Sequence, residues 1–254
     1  MSSAAQLETP AITLKLGRWQ DVLADVQCDA LITDPPYGSR THIGHRDGVF
    51  DTNKQKGFQR REIDYACWTE DDVREFVASW SPRVRGWFVA MTSHDLAPVY
   101  SDALEKSGRY VFAPLPWVHI GGRIRLSGDG PSSWTCWLIV ARPKTRDMQR
   151  WGTLRGAYIS SNETEPRAVV GGKPTSVMRS LIRDYSRPGD LICDPCAGGG
   201  TTLLAAATEN RKAIGAEMDP KHYEIARKRI AKGYTPSLFT EAVKAPEQLA
   251  MGDE

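Results

Sequence analysis

Two short apolar segments, at opposite ends of the chain, each run into a turn rich in proline or glycine. Residues 30–33 lead into Asp34-Pro35-Pro36-Tyr37, and residues 190–193 lead into a run from Asp194 to Thr202 that contains three consecutive glycines. A short apolar run bounded by turn residues is typical of a buried strand. Both segments therefore predict a strand that ends in a turn, which is where an open α/β sheet binds its ligands.

Other strands and helices alternate along the chain. Strands are predicted at residues 11–16, 86–91, 110–114, 134–140 and 211–217, and helices at residues 71–80, 96–106, 203–207 and 220–230. A helix-like stretch through Val22 and Val26 is also predicted after the first of these strands. This alternation favours a mostly parallel sheet with helices on both faces. With 254 residues, 41% of them hydrophobic, the chain is long enough for one such core. We expect a single domain over residues 1–254, with Thr201 and Thr202 as helix caps.

The first turn offers fixed hydrogen-bond acceptors. The two prolines of Asp34-Pro35-Pro36-Tyr37 keep the backbone stiff and extended, so that Asp34 and the Pro35 carbonyl can together orient an exocyclic amine. The Tyr37 ring provides a face on which a base taken out of a duplex can stack. We predict that Asp34, Pro35, Pro36 and Tyr37 are catalytic. The alternative is a proline-rich turn in which Asp34 and Tyr37 have no function.

The second turn is suited to a cofactor. Its glycines allow the backbone to approach a ligand closely, and Thr201 and Thr202 supply hydroxyl and N–H groups at the start of a helix. Glu217 ends the next predicted strand, where a carboxylate can accept hydrogen bonds from ribose hydroxyls. The glycines are not followed by Gly-Lys-Ser or Gly-Lys-Thr, which disfavours a nucleotide triphosphatase. The alternative is a tight structural turn with a surface Glu.

Taken in this order, the two turns resemble the permuted beta group of DNA amino-methyltransferases, in which the Asp-Pro-Pro-Tyr element comes early and the glycine-rich element comes late. Residues 172–182 and 213–226 are also similar to that group, so that the resemblance covers residues 11–37 and 172–232. It implies an α/β, Rossmann-like methyltransferase fold with circularly permuted motifs. It also implies that S-adenosyl-L-methionine donates a methyl group to adenine N6 of a base flipped out of double-stranded DNA.

The resemblance also implies the residues that bind the cofactor. Those at its methionine end are Asp194, Ala197, Gly198, Gly200, Thr201 and Thr202, bordered by Lys173, Pro174 and Thr175, while Glu217 is at the ribose. Two positions depart from the family pattern. Cys196 stands where Phe is more common, and Gly17-Arg18 stands where Gly-Asp is common. One wall of the pocket and the adenine-side contact therefore stay unassigned.

Two alternative functions are open. Methylation of cytosine N4 needs the same acceptors, because its target is also an exocyclic amine; the resemblance favours adenine, since the cytosine enzymes more often carry Ser in place of Asp34. The other alternative is a catalytically inactive module that binds DNA or the cofactor. The intact tetrapeptide and Glu217 argue against such a module.

Local charge indicates how DNA is held. The formal net charge of +2 is too small to identify nucleic acid as a partner. A basic insert at about residues 38–67 has six Arg or Lys against two Asp over residues 38–61. The candidates for contact with DNA are Arg40, Arg46, Lys54, Lys56, Arg60 and Arg61, together with Arg123 and Arg125. The alternative for the insert is a solvated, mobile loop. A short target-recognition region is predicted at about residues 142–172.

The number and spacing of the cysteines indicate the cellular compartment and whether a metal site is expected. Five cysteines without regular spacing fit a reducing cytoplasm. Cys193 and Cys196 form a Cys-x-x-Cys, but no second pair follows, so no metal is expected. We expect a soluble cytoplasmic protein, encoded by a bacterium, an archaeon or a phage. The resemblance also allows a homodimer and a cognate restriction nuclease as partners.

Overall fold

The computed structural model describes residues 5–38, 67–120, 131, 134–145, 151–161, 169 and 172–235. Within these residues ten strands form one sheet. The strands are β1 (Gln6–Glu8), β2 (Ile12–Leu16), β3 (Ala30–Thr33), β4 (Phe88–Thr92), β5 (Tyr110–Val111), β6 (Leu115–His119), β7 (Thr135–Arg142), β8 (Tyr158–Ser160), β9 (Leu191–Asp194) and β10 (Lys212–Glu217). The helices are α1 (Trp19–Val22), α2 (Glu70–Trp80), α3 (Ala97–Lys106), α4 (Thr175–Tyr185), α5 (Thr201–Thr208) and α6 (Pro220–Ala231), with a 3₁₀ turn at Ser81–Arg83.

The strand order is β1-β2-β10-β9-β3-β4-β7-β6-β8, and β5 also pairs with β7. Five neighbouring strands, from β2 to β4 in this order, are parallel, and β7 lies antiparallel beside β4. The predicted α/β fold with a mostly parallel sheet is therefore confirmed. No helix in the described part of the chain is long and apolar enough to cross a membrane.

An apolar core covers each face of the sheet, because successive residues of a strand point to opposite faces. On β3, Ile32 packs into the same core as Leu181 of α4, whereas Leu31 packs with Phe76 of α2. All residues of β3 and of β4 are buried. Continuous burial is typical of parallel strands that are covered on both faces. The ends of these strands are therefore held rigidly where the site is built.

Three local expectations were wrong. The strand predicted at residues 110–114 is shorter, because β5 ends at Val111 and the next strand, β6, starts only at Leu115. Thr201 and Thr202 do not cap α5; the N-cap is Gly200, with a left-handed φ of 76°, and the two threonines are the first residues of the helix. Glycine reaches this conformation at little cost, which explains why it makes the turn from strand to helix. The helical stretch expected through Val26 ends at Val22.

Candidate active site

The strands that precede the two predicted turns are neighbours in the sheet. β3 and β9 run parallel, with Leu31 opposite Cys193. The Thr33 hydroxyl donates a hydrogen bond to Asp194 Oδ1 at 2.7 Å. The turn after β3 and the turn after β9, far apart along the chain, thus meet at one end of the sheet. Sequence reasoning did not single out Thr33; its only signal is its place immediately before Asp34.

Asp34 presents one paired and one unpaired oxygen. Its side chain is 24% exposed, and its Oδ2 accepts a hydrogen bond from the Lys173 ammonium. Its Oδ1 is buried, and no donor in the described residues reaches it. A buried acceptor without a partner costs about 1–3 kcal/mol. Asp34 Oδ1 is therefore a buried hydrogen-bond acceptor that no donor among the described residues satisfies.

Tyr37 is anchored by its hydroxyl. This group lies 2.9 Å from Cys136 Sγ, and the Cys136 thiol lies 3.6 Å from the Thr92 carbonyl, to which it donates. Burial raises the pKa of Tyr37 well above its ordinary value, and the negative charge of Asp34 raises it further. Burial also raises the pKa of Cys136 to about 11. Both groups keep their protons at neutral pH, and the hydrogen bond between the Tyr37 hydroxyl and the Cys136 sulfur fixes the ring. Cys136 was not predicted.

The loop after β4 supports the end of the Asp34 turn. The Gly38 N–H donates to Ser93 Oγ at 3.3 Å. A Cβ at position 38 would clash with Asp95 Oδ2, so that any other residue there would require the Asp95 side chain to shift. Asp95 Oδ1 and Thr92 Oγ1 are buried, and neither has a hydrogen-bond partner in the described residues. This loop therefore adds further polar atoms beside the Asp34 turn.

Asp194 is buried beneath the glycine turn. Its Oδ1 accepts from Thr33 and, at 3.1 Å, from the Cys196 N–H. Burial raises the pKa of Asp194 to about 6, although hydrogen bonds from the Thr202 and Thr33 hydroxyls lower it. The carboxyl group therefore changes its charge close to neutral pH. No group of three or more His, Cys, Asp or Glu side chains in the described ranges is placed to hold a metal ion.

The glycine turn has a left-handed backbone at two glycines, and it packs against α6. Gly198 and Gly200 have left-handed φ angles of 50° and 76°. A Cβ at Gly200 would lie 3.2 Å from the Ala226 Cβ, which favours glycine for packing as well. Arg229 of α6 donates to the Gly199 carbonyl and, at 3.1 Å, to Thr201 Oγ1. Arg229 was not predicted, since nothing in its sequence neighbourhood connects it with the turn.

Glu217 lies at the end of β10, as predicted. Its Oε2 accepts from the Gly198 N–H at 2.7 Å and its Oε1 from the Asp219 N–H at 2.8 Å. Burial raises the pKa of Glu217. Each carboxylate oxygen can accept a further hydrogen bond. The side chain of the next residue, Met218, is 68% exposed, and the Gly17 N–H donates to the Glu217 carbonyl at 2.9 Å. An acceptor, an apolar side chain and Gly17 thus lie together at the end of β10.

The structure brings most of the predicted site residues together. Ala197 donates its N–H to the Ala216 carbonyl at 2.9 Å, Pro174 is the N-cap of α4 and Thr175 is its first residue. The ammonium of Lys173, predicted to border the cofactor, contacts Asp34. The candidates for DNA contact, Arg40, Arg46, Lys54, Lys56, Arg60, Arg61, Arg123 and Arg125, lie outside the described residues. The predicted recognition region at about residues 142–172 is described only in part and contains β8.

Comparison with known proteins identifies the family. A family model described as DNA methylase matches residues 137–228. The type II methyltransferase M.HindIII of Haemophilus influenzae is 36% identical over 275 residues, which span 79% of this chain and 88% of that protein. This chain belongs to the N6-adenine/N4-cytosine family of DNA methylases. The resemblance seen in the order of the two turns is therefore confirmed.

Solved structures confirm the fold of this DNA methylase. The crystal structure of the M1.HpyAVI–SAM complex matches with a TM-score of 0.63 at 22% identity, covering 86% of this chain and 98% of that one. PvuII DNA methyltransferase, described as cytosine-N4-specific, matches with a TM-score of 0.58 at 15% identity, covering 88% and 91%. At these identities the similarity concerns the fold. It does not distinguish between adenine and cytosine as the target.

Proposed function

We propose that this DNA methylase transfers a methyl group from S-adenosylmethionine to adenine N6 in DNA, and that the target base is flipped out of the duplex. The supporting observation is the meeting of the two turns at adjacent strand ends, where Thr33 bonds to Asp194 at 2.7 Å. An acceptor for an amine and a glycine-lined cofactor turn then border one pocket. Adjacent strand ends are where ligands bind in sheets of this kind.

The amine is held by the first turn. Asp34 Oδ1, which is buried without a partner in the described residues, accepts one N–H of the amine, and the Pro35 carbonyl accepts the other. Two acceptors draw electron density toward nitrogen and aim its lone pair at the methyl carbon. As the new N–C bond forms, the S–C bond breaks and its electron pair stays on sulfur; the surplus proton then leaves the nitrogen. The Tyr37 ring replaces the stacking that the base loses.

The cofactor residues fit the chemistry of S-adenosylmethionine, which supplies a methyl group on a sulfonium sulfur. The backbone of Gly198 and Gly200 leaves room for its methionine end, beside Asp194. Glu217 retains acceptor capacity for the ribose hydroxyls. Met218, with its side chain 68% exposed, offers an apolar surface to the adenine ring. No cysteine is needed as a nucleophile, because the amine attacks directly.

The test of this proposal is sequencing that detects modified bases in DNA from cells that express the protein. The expected result is N6-methyladenine within one short sequence. N4-methylcytosine would support the alternative target. Unmodified DNA, together with folded protein that does not bind S-adenosylmethionine in calorimetry, would overturn the proposal. The DNA contacts of the basic insert, a homodimer and a cognate nuclease stay predictions.

A further inference from the structure

Lys173 contacts two of the groups that the proposed function assigns to the target base, the Asp34 carboxylate and the Tyr37 ring. Its ammonium donates to Asp34 Oδ2 and lies 5.0 Å from the centroid of the Tyr37 ring. The Lys173 side chain is only 13% exposed. An ammonium and an exocyclic amine are both N–H donors, so they compete for the same carboxylate. In this structure Lys173 therefore pairs with the carboxylate and lies beside the ring that the target base would contact.

The unpaired Oδ1 of Asp34 also indicates that Lys173 has to move before the target amine can bind. Asp34 Oδ1 is buried as well as unpartnered in the described residues, so that a donor from a ligand has no open path to it. The side chain beside this carboxylate with the greatest freedom to move is Lys173, which has a flexible four-carbon stem. Its displacement is the smallest rearrangement that opens Asp34 to the amine.

Lys173 is also close to the proposed cofactor turn. It precedes Pro174 and α4, and α4 packs against α5, the helix that starts at the glycine turn, and contacts β3. Asp34 is near enough to the turn for its negative charge to raise the pKa of Asp194 and of Cys196. The carboxylate of a bound amino acid at this turn would therefore offer Lys173 a second anionic partner.

We propose that Lys173 has two positions and passes from Asp34 to the carboxylate of the cofactor. Without cofactor its ammonium pairs with Asp34 and covers the Tyr37 ring. The arrival of the cofactor's amino-acid end draws the ammonium away, which uncovers both groups for the target amine. The cofactor then binds before the base enters. Lys173 is thus a positioning residue that sets the order of binding, and this inference rests on the proposed function.

Calorimetry with S-adenosylhomocysteine tests this exchange in the absence of transfer. This ligand keeps the amino-acid end and lacks the sulfonium charge, whereas 5′-methylthioadenosine lacks the amino-acid end. Lys173→Met should weaken binding of S-adenosylhomocysteine by about ten-fold, the equivalent of a charged hydrogen bond. It should leave binding of 5′-methylthioadenosine unchanged. Lys173→Arg, which keeps the charge, should recover part of the affinity.

The distinguishing variant is Asp34→Asn, which weakens the resting ion pair of Lys173. It should tighten S-adenosylhomocysteine by about two- to five-fold, the equivalent of a weak ion pair, and this gain should vanish in the Lys173→Met background. Weaker binding in Asp34→Asn, or an equal gain in both backgrounds, would overturn the exchange while leaving the proposed function intact. If the folded wild-type protein bound neither ligand, the proposed function would fail and the exchange with it.

Discussion

Asp34 is the residue at which transfer should separate from cofactor binding. Asp34→Ala removes the acceptor that orients the amine, and we expect transfer to fall by about a hundred-fold or more, as when one fixed transition-state contact is lost. Affinity for S-adenosylhomocysteine should not fall, because the proposed cofactor contacts of Glu217 and the glycine turn do not involve Asp34. Transfer of labelled methyl groups and calorimetry measure the two effects. Equal loss of both would mean that Asp34 is structural.

Two substitutions separate the proposed roles of Tyr37, which are stacking of its ring on the base and anchoring of its side chain through the hydroxyl. Tyr37→Ala should weaken binding of the flipped base by about 1–3 kcal/mol, if stacking on a single-stranded base is the guide. Tyr37→Phe keeps the ring but loses the contact with Cys136 Sγ, so its effect should be smaller. The measurement is the KM for duplex DNA that contains the target sequence in its unmethylated form. Unchanged kinetics in Tyr37→Ala would remove this ring from the site.

Asp194 predicts a pH dependence of cofactor affinity. Burial raises its pKa from an ordinary 3.8 to about 6, so the carboxylate becomes neutral as the pH falls through 6. The positively charged cofactor then loses an attractive charge, and its affinity should fall between about pH 7 and 5. Because the folded pKa is raised, the stability that this group contributes is present at acid pH and is lost as the pH rises through 6.

The control for this pH dependence is Asp194→Asn, in which the amide oxygen can still accept from Thr33 and Cys196. Its affinity for S-adenosylmethionine should change little over this range of pH. A profile as steep as that of the wild type would assign the dependence to another group. Titration calorimetry at several pH values, with unfolding measured alongside, makes the comparison.

For single residues, the sequence could indicate those of the two turns but not the side chains from other elements that contact them. Asp34, Tyr37 and Glu217 follow apolar strands directly, and the end of a strand is a recognisable position. Cys136 reaches Tyr37 only because β7 lies beside β4 in the sheet, and no local spacing encodes which strands become neighbours. For the same reason the sequence could not reveal the pairing of Lys173 with Asp34.

The start of α5 gives a prediction at the level of the element. Gly200→Ala places a side chain at a left-handed φ, which costs about 1–2 kcal/mol, and brings its Cβ to 3.2 Å from that of Ala226. Gly189 is a matched control, with a φ of 89° but no atom within 4 Å of an added Cβ. Urea unfolding should show a larger loss of stability for Gly200→Ala. Equal losses would mean that packing against α6 contributes nothing.

Long amphipathic elements were easier to predict than short ones. The helices expected at residues 71–80 and 96–106 correspond to α2 and α3 within one residue at each end, because several turns repeat the same apolar face. β1 and β8 have three residues each and were not predicted. So short a segment shows no period. Its pairing within the sheet determines its conformation instead.

The molecule as a whole joins motifs that the sequence separates. β3 lies between β9 and β4, although most of the chain intervenes between β3 and β9. The alternation of strands and helices predicted a mostly parallel sheet, but it did not predict the order of the strands in that sheet. Contacts between distant segments are decided by packing on both faces of the sheet, and a single sequence does not record them directly.

Because the two turns meet at adjacent strand ends, a ligand bound to the second should protect the first. We expect S-adenosylhomocysteine to slow amide hydrogen exchange at residues 194–200 and also at residues 33–38, since local opening of either turn would then require loss of the ligand. 5′-Methylthioadenosine, which lacks the amino-acid end, should protect residues 33–38 less. The helix α2, which lies on the face of the sheet opposite α4, serves as an internal control and should be unchanged. Protection limited to residues 194–200 would show that the two turns open independently, and the joint pocket would then have to be abandoned.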